Sequence, residues 1–191
     1  EMGSRRTHEQ AAVAAARAAY IAGFTGTSNL AAHHRYAIPA LGTAAHAFTL
    51  LHSTAGHSTD ESEQAAFRAQ VAALGLSTTL LVDTYDVRRG VANAVEAAGT
   101  GLGAVRIDSG DLGVLARQAR EQLDALGATG TKIVVSGDLD EYAIDALRAE
   151  PVDSYGVGTT VVTGSGAPTA GMVYKLVEVE GLPVQKRSLH K

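Results

Sequence analysis

Ala104-Val105-Arg106-Ile107-Asp108-Ser109-Gly110-Asp111-Leu112 is the stretch on which the fold turns. Val105 and Ile107 alternate with less apolar positions and read as a buried strand, and Gly110 lets the backbone turn into a helix. A strand that ends in an arginine and two carboxylates is chemically equipped. Arg106 can hold an anion, while Asp108 and Asp111 suit a metal ion, a sugar hydroxyl or a cationic ring. A structural ion pair closing a strand end uses the same residue types, so the neighbouring sequence must decide.

The same rhythm recurs on both sides. Upstream, Leu80-Leu81-Val82 runs into Asp83-Thr84-Tyr85-Asp86 and a helix to Ala98. After the central stretch a helix continues to Leu126. Next, Lys132-Ile133-Val134-Val135 ends in Ser136-Gly137-Asp138 before a helix to Ala149, and Ser154-Tyr155 leads into Gly156-Val157-Gly158-Thr159. Strand then helix at a spacing of roughly 25 residues signals a parallel sheet or barrel. Each polar cluster lies at a strand's C-terminal end, where parallel α/β folds place their chemistry. An enzyme is expected.

The remaining chain is read around this core. Glu9 to Ala22 is Ala-rich and helical, with Thr7 as N-cap. Gly26-Thr27-Ser28-Asn29 is a turn, Leu30 to Tyr36 a short helix, and Ala37 to Leu41 a brief apolar strand. Gly42-Thr43 opens a helix holding His46. His52 to Glu63 is polar and reads as a surface loop, followed by a helix to about Leu74. Met172 to Val179, a turn at Glu180-Gly181, and Leu182 to Leu189 form an antiparallel hairpin pattern.

Composition narrows the function. A chain of 191 residues holds one or two domains, and 46% apolar content supports a packed core. A net charge of -4 gives no reason to expect nucleic acid or an anionic membrane as partner. Cysteine is absent, so neither disulfides nor thiolate chemistry enter. No apolar run reaches the roughly 18 residues of a membrane span, and no signal-peptide pattern opens the sequence, so the cytoplasm is expected. The polar opening at Glu1 and the stop after a hairpin pattern read as a segment of a longer protein.

Three features carry candidate chemistry. Gly156-Val157-Gly158-Thr159 can cradle a phosphate with backbone amides, jointly with Ser136-Gly137-Asp138, because late strands of a barrel commonly share a phosphate site. An ordinary glycine turn has the same composition. His46, near a helix start, can act as nucleophile or acid–base group, or simply pack. His33, His34, His52 and His57 lack metal-ligand spacing and read as surface residues.

Taken together, these residues resemble the nicotinate phosphoribosyltransferase family. The matching stretches are Glu1-Met2-Gly3-Ser4-Arg5-Arg6, Gly26-Thr27-Ser28-Asn29, Gly42-Thr43-Ala44-Ala45-His46, Leu81-Val82-Asp83-Thr84-Tyr85-Asp86 and Arg106 to Leu112. Gly156-Val157-Gly158-Thr159 and Tyr174-Lys175-Leu176-Val177 complete the series. The resemblance implies an incomplete parallel β/α barrel of the type II phosphoribosyltransferase kind with a C-terminal antiparallel hairpin. Residues 1–191 would be its barrel domain, without the family's N-terminal domain and C-terminal end. It implies conversion of nicotinate and phosphoribosyl pyrophosphate to nicotinate mononucleotide and pyrophosphate in NAD biosynthesis, coupled to ATP and using Mg²⁺, in a homodimer. His46 matches the histidine phosphorylated by ATP, and Arg5 an arginine near the pyridine ring and phosphate. Asp83, Arg106 and Asp108 match residues around the ribosyl group. Gly137, Asp138, Gly156 and Gly158 match phosphate-binding loops, Ser136 and Thr159 beside them are expected to bind substrate, and metal ligands are not identified.

Ser28 bears on the acceptor. The related nicotinamide-using enzymes carry aspartate at the corresponding place, which accepts from an amide and repels a carboxylate. A neutral serine donates to a carboxylate, so nicotinate is expected. Quinolinate or nicotinamide phosphoribosyl transfer, and a non-catalytic segment that only binds phosphate ligands, are the alternatives.

Overall fold

The computed structural model describes residues 1–164 and 166–187. In chain order the helices are α1 (Glu9–Ile21), α2 (Leu30–Tyr36), α3 (His46–Leu51), α4 (Thr59–Leu74), α5 (Val87–Ala98), α6 (Leu112–Ala125), α7 (Glu141–Ala146) and α8 (Thr159–Thr163). The strands are β1 (Thr79–Leu81), β2 (Ala104–Ile107), β3 (Lys132–Ser136), β4 (Ser154–Gly156), β5 (Glu178–Val179) and β6 (Leu182–Pro183). The chain divides into two compact units. The first comprises Glu1–Gly42, Ser136–Ala146 and Tyr155–Met172, the second Thr43–Val135, Leu147–Ser154 and Val173–Lys191.

The sheet runs β1-β2-β3-β4, with β1 parallel to β2 and β2 parallel to β3. Leu80 lies opposite Val105, and Val105 opposite Ile133. Leu80, Leu81, Val82, Val105, Ile107, Ile133 and Val135 are all buried, as expected for strands covered by helices. Each such side chain contributes about 1.5–3 kcal/mol on burial. The parallel α/β class expected from sequence is therefore present, and β5 and β6 form the antiparallel hairpin.

The second unit packs α4 on α5 and α5 on α6. Ser58 caps α4 in a reciprocal box with Glu61: the Glu61 amide donates to Ser58 Oγ, and the Ser58 amide donates to the Glu61 carboxylate. In α5, Gly90 sits against the end of β1. A Cβ there would lie 2.1 Å from the Val82 carbonyl oxygen, so only glycine permits this approach. In the first unit α1 and α2 meet through the small residues Ala16 and Ala32, with Ile38, just past α2, packed against them.

Several local expectations are corrected. His8, not Thr7, caps α1, its ring Nδ1 accepting from the Gln10 amide at 3.2 Å. Ala37 to Leu41 forms no strand: only an isolated bridge joins Thr27 and Ala40. Pro39 has no N–H to donate, and its carbonyl accepts from the Thr27 amide instead. The polar stretch from His52 is a loop only until Ser58, because the capping box starts α4 at Thr59 and buries Glu63. The helix expected to reach Ala149 is α7, which stops at Ala146. The hairpin is shorter than expected: β5 spans Glu178–Val179 alone, and Met172 and Tyr174 are exposed. Ser188 and Leu189, at the expected end of its second strand, lie outside the described residues.

Candidate active site

The C-terminal ends of β1 and β2 meet in the second unit and bring four expected residues together. Asp83, one residue beyond Val82, is fully buried. Its Oδ2 accepts from the Asp108 amide at 3.0 Å and from the Ser109 hydroxyl at 2.7 Å. Arg106 donates to Asp108 Oδ1 at 2.6 Å and to Thr43 Oγ1 at 2.5 Å. His46 is the first residue of α3. Its Nδ1 is hydrogen-bonded to Thr84 Oγ1 at 3.1 Å, which turns Nε2 to within 3.9 Å of Asp83 Oδ1 and 3.6 Å of Asp108 Oδ2.

Two of these atoms are unsatisfied. Asp83 Oδ1 and His46 Nε2 are buried and have no hydrogen-bond partner among the described residues. Buried polar atoms are nearly always paired, so two orphans facing one another mark a place for a ligand.

The strand-end acids divide their labour at a fixed spacing. Asp83 and Asp108 face His46, whereas Asp86 and Asp111, each three residues later, cap α5 and α6 by accepting from the Arg89 and Val114 amides. Asp111, read from sequence as a possible ligand-binding acid, is thus a helix cap. Its partner Asp86 takes the same part.

Sequence reasoning missed Thr43, Ser109 and Lys186 as members of this cluster. Lys186 Nζ lies 3.9 Å from Asp83 Oδ2 and 3.5 Å from Ser109 Oγ, and its neighbour's amide, that of Arg187, donates to the Thr84 carbonyl at 2.8 Å. A lysine after a hairpin, remote in sequence, carries no signal of this role. Ser109 lies within the central stretch, but a serine between two acids has no distinct sequence signal for this contact.

The other expected residues lie in the first unit. Arg5 occupies a 3-10 turn, Ser4–Arg6, and is exposed. Next to Ser28, Asn29 Nδ2 donates to Ser4 Oγ at 3.0 Å, and the Ser28 amide donates to the Glu1 carbonyl at 2.9 Å. The Met2 amide donates to the Val157 carbonyl at 2.7 Å, so the opening segment runs along the Gly156–Thr159 turn. A Cβ at Gly158 would lie 3.0 Å from the Met2 carbonyl oxygen, and one at Gly156 would lie 2.9 Å from Met2 Sδ and 3.1 Å from Ser136 Cβ. Close neighbours therefore leave little room for a side chain at either glycine. Gly137 and Asp138 both take positive φ, +111° and +52°, and turn the chain sharply at the end of β3. Thr159 begins α8.

Residues 1–189 match the model of the nicotinate phosphoribosyltransferase (NAPRTase) family. The chain belongs to the nicotinate phosphoribosyltransferase family. It is 78% identical over its full length to nicotinate phosphoribosyltransferase pncB1 of Mycobacterium tuberculosis, of which it covers 43%. With the nicotinate phosphoribosyltransferase of Bacillus subtilis it shares 42% identity over 94% of this chain and 37% of that protein. The chain thus spans less than half the length of these relatives. The crystal structure of nicotinate phosphoribosyltransferase from Vibrio cholerae superposes on 98% of the chain and 49% of its own with a TM-score of 0.80; at 22% identity this shows a shared fold. A nicotinate-nucleotide pyrophosphorylase from Pyrococcus furiosus superposes with a TM-score of 0.72 and 32% identity, over 98% of this chain and 48% of that one.

Membership in the nicotinate phosphoribosyltransferase family raises the question of Mg²⁺. Among the described residues no group of three His, Cys, Asp or Glu side chains is arranged to hold a metal. Mg²⁺ commonly binds through one or two carboxylates and substrate phosphates and keeps its waters. Asp108, whose side chain is 26% exposed, fits such a partial site. No helix among the described residues is long and apolar enough to cross a membrane.

Proposed function

We propose that the protein transfers the phosphoribosyl group of phosphoribosyl pyrophosphate to nicotinate, with ATP as co-substrate, in cytoplasmic NAD biosynthesis. The observation that carries this reading is the facing pair of orphaned atoms, His46 Nε2 and Asp83 Oδ1, ringed by Asp108, Arg106 and Lys186. In the transfer, the bond between the sugar's anomeric carbon and a pyrophosphate oxygen breaks, and the ring nitrogen of nicotinate bonds to that carbon. Positive charge builds on the ribose as the bond lengthens. Asp83 and Asp108 stabilise that charge, as carboxylates do for oxocarbenium-like states. Arg106 and Lys186 take the negative charge of the leaving pyrophosphate. Mg²⁺ would be held by Asp108 and the substrate's phosphates and would neutralise pyrophosphate charge.

His46 Nε2 is the proposed phosphoryl acceptor from ATP. With Nδ1–H donating to Thr84 Oγ1, the Nε2 lone pair attacks the γ-phosphorus and the bond to the ADP oxygen breaks. Thr84 fixes the ring for that attack. In the first unit, Ser28 is proposed to donate to the nicotinate carboxylate, with Arg5 near the ring. Ser136, Gly137, Asp138, Gly156, Gly158 and Thr159 are proposed to hold phosphate oxygens. The proposed assembly is a homodimer.

Acceptor competition tests this reading. The full-length protein is expected to use nicotinate in preference to nicotinamide and quinolinate. Ser28→Asp is expected to lower kcat/KM for nicotinate by about 10–100-fold through repulsion of its carboxylate. Preference for quinolinate would overturn the substrate assignment, and unchanged nicotinate kinetics in Ser28→Asp would overturn the role of Ser28.

A further inference from the structure

The proposed reaction makes no use of Glu63, yet this carboxyl is among the most deeply buried groups in the chain, at 1% exposure. It projects from α4 into the contact with α5. Its Oε2 accepts from Asn93 Nδ2 at 2.9 Å, and its Oε1 has no partner among the described residues. Asn93 Oδ1 accepts in turn from Gln64, which also donates to Glu96 at 2.9 Å. A half-satisfied carboxyl between two helices is stable only if it carries no charge.

Burial favours the neutral form first, and the nearby carboxylates add to it. On α4 itself Asp60 lies toward Glu63, while Glu61 is engaged in the capping box and Arg68 donates to Gln64 on the exposed side. From α5 come Asp86 and Glu96, and Arg89, whose guanidinium is already paired with Asp60. Arg88 lies on the face toward α6. Beyond α5, Asp83 adds further negative charge. The only titratable residue of α3, which also packs on α4, is His46, and its ring is turned to Thr84, Asp83 and Asp108. Burial, opposed only by the Asn93 hydrogen bond, pushes the Glu63 carboxyl up to about 8.

This contact leads directly to the proposed site. Asn93 and Gly90 lie on the same helix, and Gly90 is pressed on Val82, the residue before Asp83 and Thr84. We propose that Glu63 is a positioning residue that works as a proton-operated latch: neutral, it lets α4 hold α5 against the β1 end, and ionised, it loosens α5 and with it the strand end that carries Asp83 and Thr84. The importance of that strand end for turnover rests on the function proposed above. The latch itself does not, and it can be tested without turnover.

The sign of the effect is fixed by linkage. Below the ordinary glutamate range both folded and unfolded chains hold the proton. As pH rises the unfolded chain releases it while the folded chain keeps it, so stability declines until Glu63 itself ionises at about 8. Between pH 6 and pH 9 the melting temperature of the full-length protein is expected to fall by about 5 °C more than that of Glu63→Gln, whose neutral side chain has nothing to release. Over the same interval, hydrogen–deuterium exchange corrected for intrinsic rates is expected to accelerate in α5 and in residues 82–86 of the wild type, but not in the variant. Infrared spectra of the wild type, with ¹³C-labelled glutamate, should show a protonated carboxyl band that disappears with a midpoint near 8, a readout that holds even if Glu63→Gln fails to fold. Absence of that band at pH 6.5 would overturn the proposal. So would loss of the band with unchanged exchange in residues 82–86.

Discussion

Asp83→Ala in the full-length protein is expected to lower kcat/KM for the proposed nicotinate mononucleotide formation by about 10²–10³-fold, the scale seen when a preorganised electrostatic partner of a transition state is removed. The expectation follows from the asymmetry of this carboxylate. Oδ2 is held by the Asp108 amide, the Ser109 hydroxyl and the nearby Lys186 ammonium, while Oδ1 has no partner among the described residues and lies 3.9 Å from His46 Nε2. A carboxylate fixed at one oxygen and vacant at the other is arranged to meet charge that appears only during reaction. Asp83→Asn separates charge from shape. It keeps an acceptor for Asp108 and Ser109, so its melting temperature should stay close to that of the wild type while turnover falls nearly as far as in Asp83→Ala. If Asp83→Asn retained wild-type kinetics, Asp83 would be a structural bracket for the β2 end and not part of the chemistry.

Gly90→Val has the largest expected effect on stability. A Cβ at this position would lie 2.1 Å from the Val82 carbonyl oxygen and 2.9 Å from its carbon. Both obstacles are backbone atoms of a strand end buried on all sides, so α5 must move outward as a whole. Overpacking of this kind costs about 3 kcal/mol or more, and for a chain of this size the melting temperature should drop by about 6–12 °C. Gly90→Ala meets the same carbonyl and should behave similarly, with a smaller shift. Thermal unfolding followed by circular dichroism decides the matter. A melting temperature unchanged in Gly90→Ala would mean that α5 does not rest on β1 as described, and the latch inferred for Glu63 would lose its route to Asp83.

The parallel α/β core was legible because each strand is a short apolar run closed by polar punctuation. β2 at Ala104–Ile107 and α2 at Leu30–Tyr36 coincide with their readings, and α5 ends at Ala98 as expected. What escaped depended on partners. Ala37 to Leu41 has strand-like composition, but a strand exists only when a neighbour accepts its ladder, and here only Thr27 does so. Met172 to Leu176 lies outside the hairpin strand, while the Val177 carbonyl still accepts from the Val184 amide at 2.9 Å. Glu63 was hidden by a polar neighbourhood that reads as loop, although Ser58 and Glu61, three residues apart, carried a helix-start signal that would have placed it on α4.

For the site, residue type and strand-end position sufficed to single out His46, Asp83, Arg106 and Asp108, which the structure gathers within one cluster. The distinction between Asp108, which faces His46, and Asp111, which caps α6, was not legible, because both are acids after the same strand. Lys186 escaped because its role depends on the Arg187 amide docking on Thr84, a contact across about a hundred residues of chain. The glycines of Gly156–Thr159 carry a phosphate reading in the sequence, and their contacts with Met2 add a packing reason that only the fold reveals.

The most direct measurement is nicotinate mononucleotide formation by the full-length protein, with and without ATP, beside His46→Ala whose fold is checked by circular dichroism. The wild type is predicted to form product from nicotinate and phosphoribosyl pyrophosphate and to be stimulated by ATP, and His46→Ala to be folded but to show no ATP stimulation. Full ATP-stimulated product formation by folded His46→Ala would contradict the account.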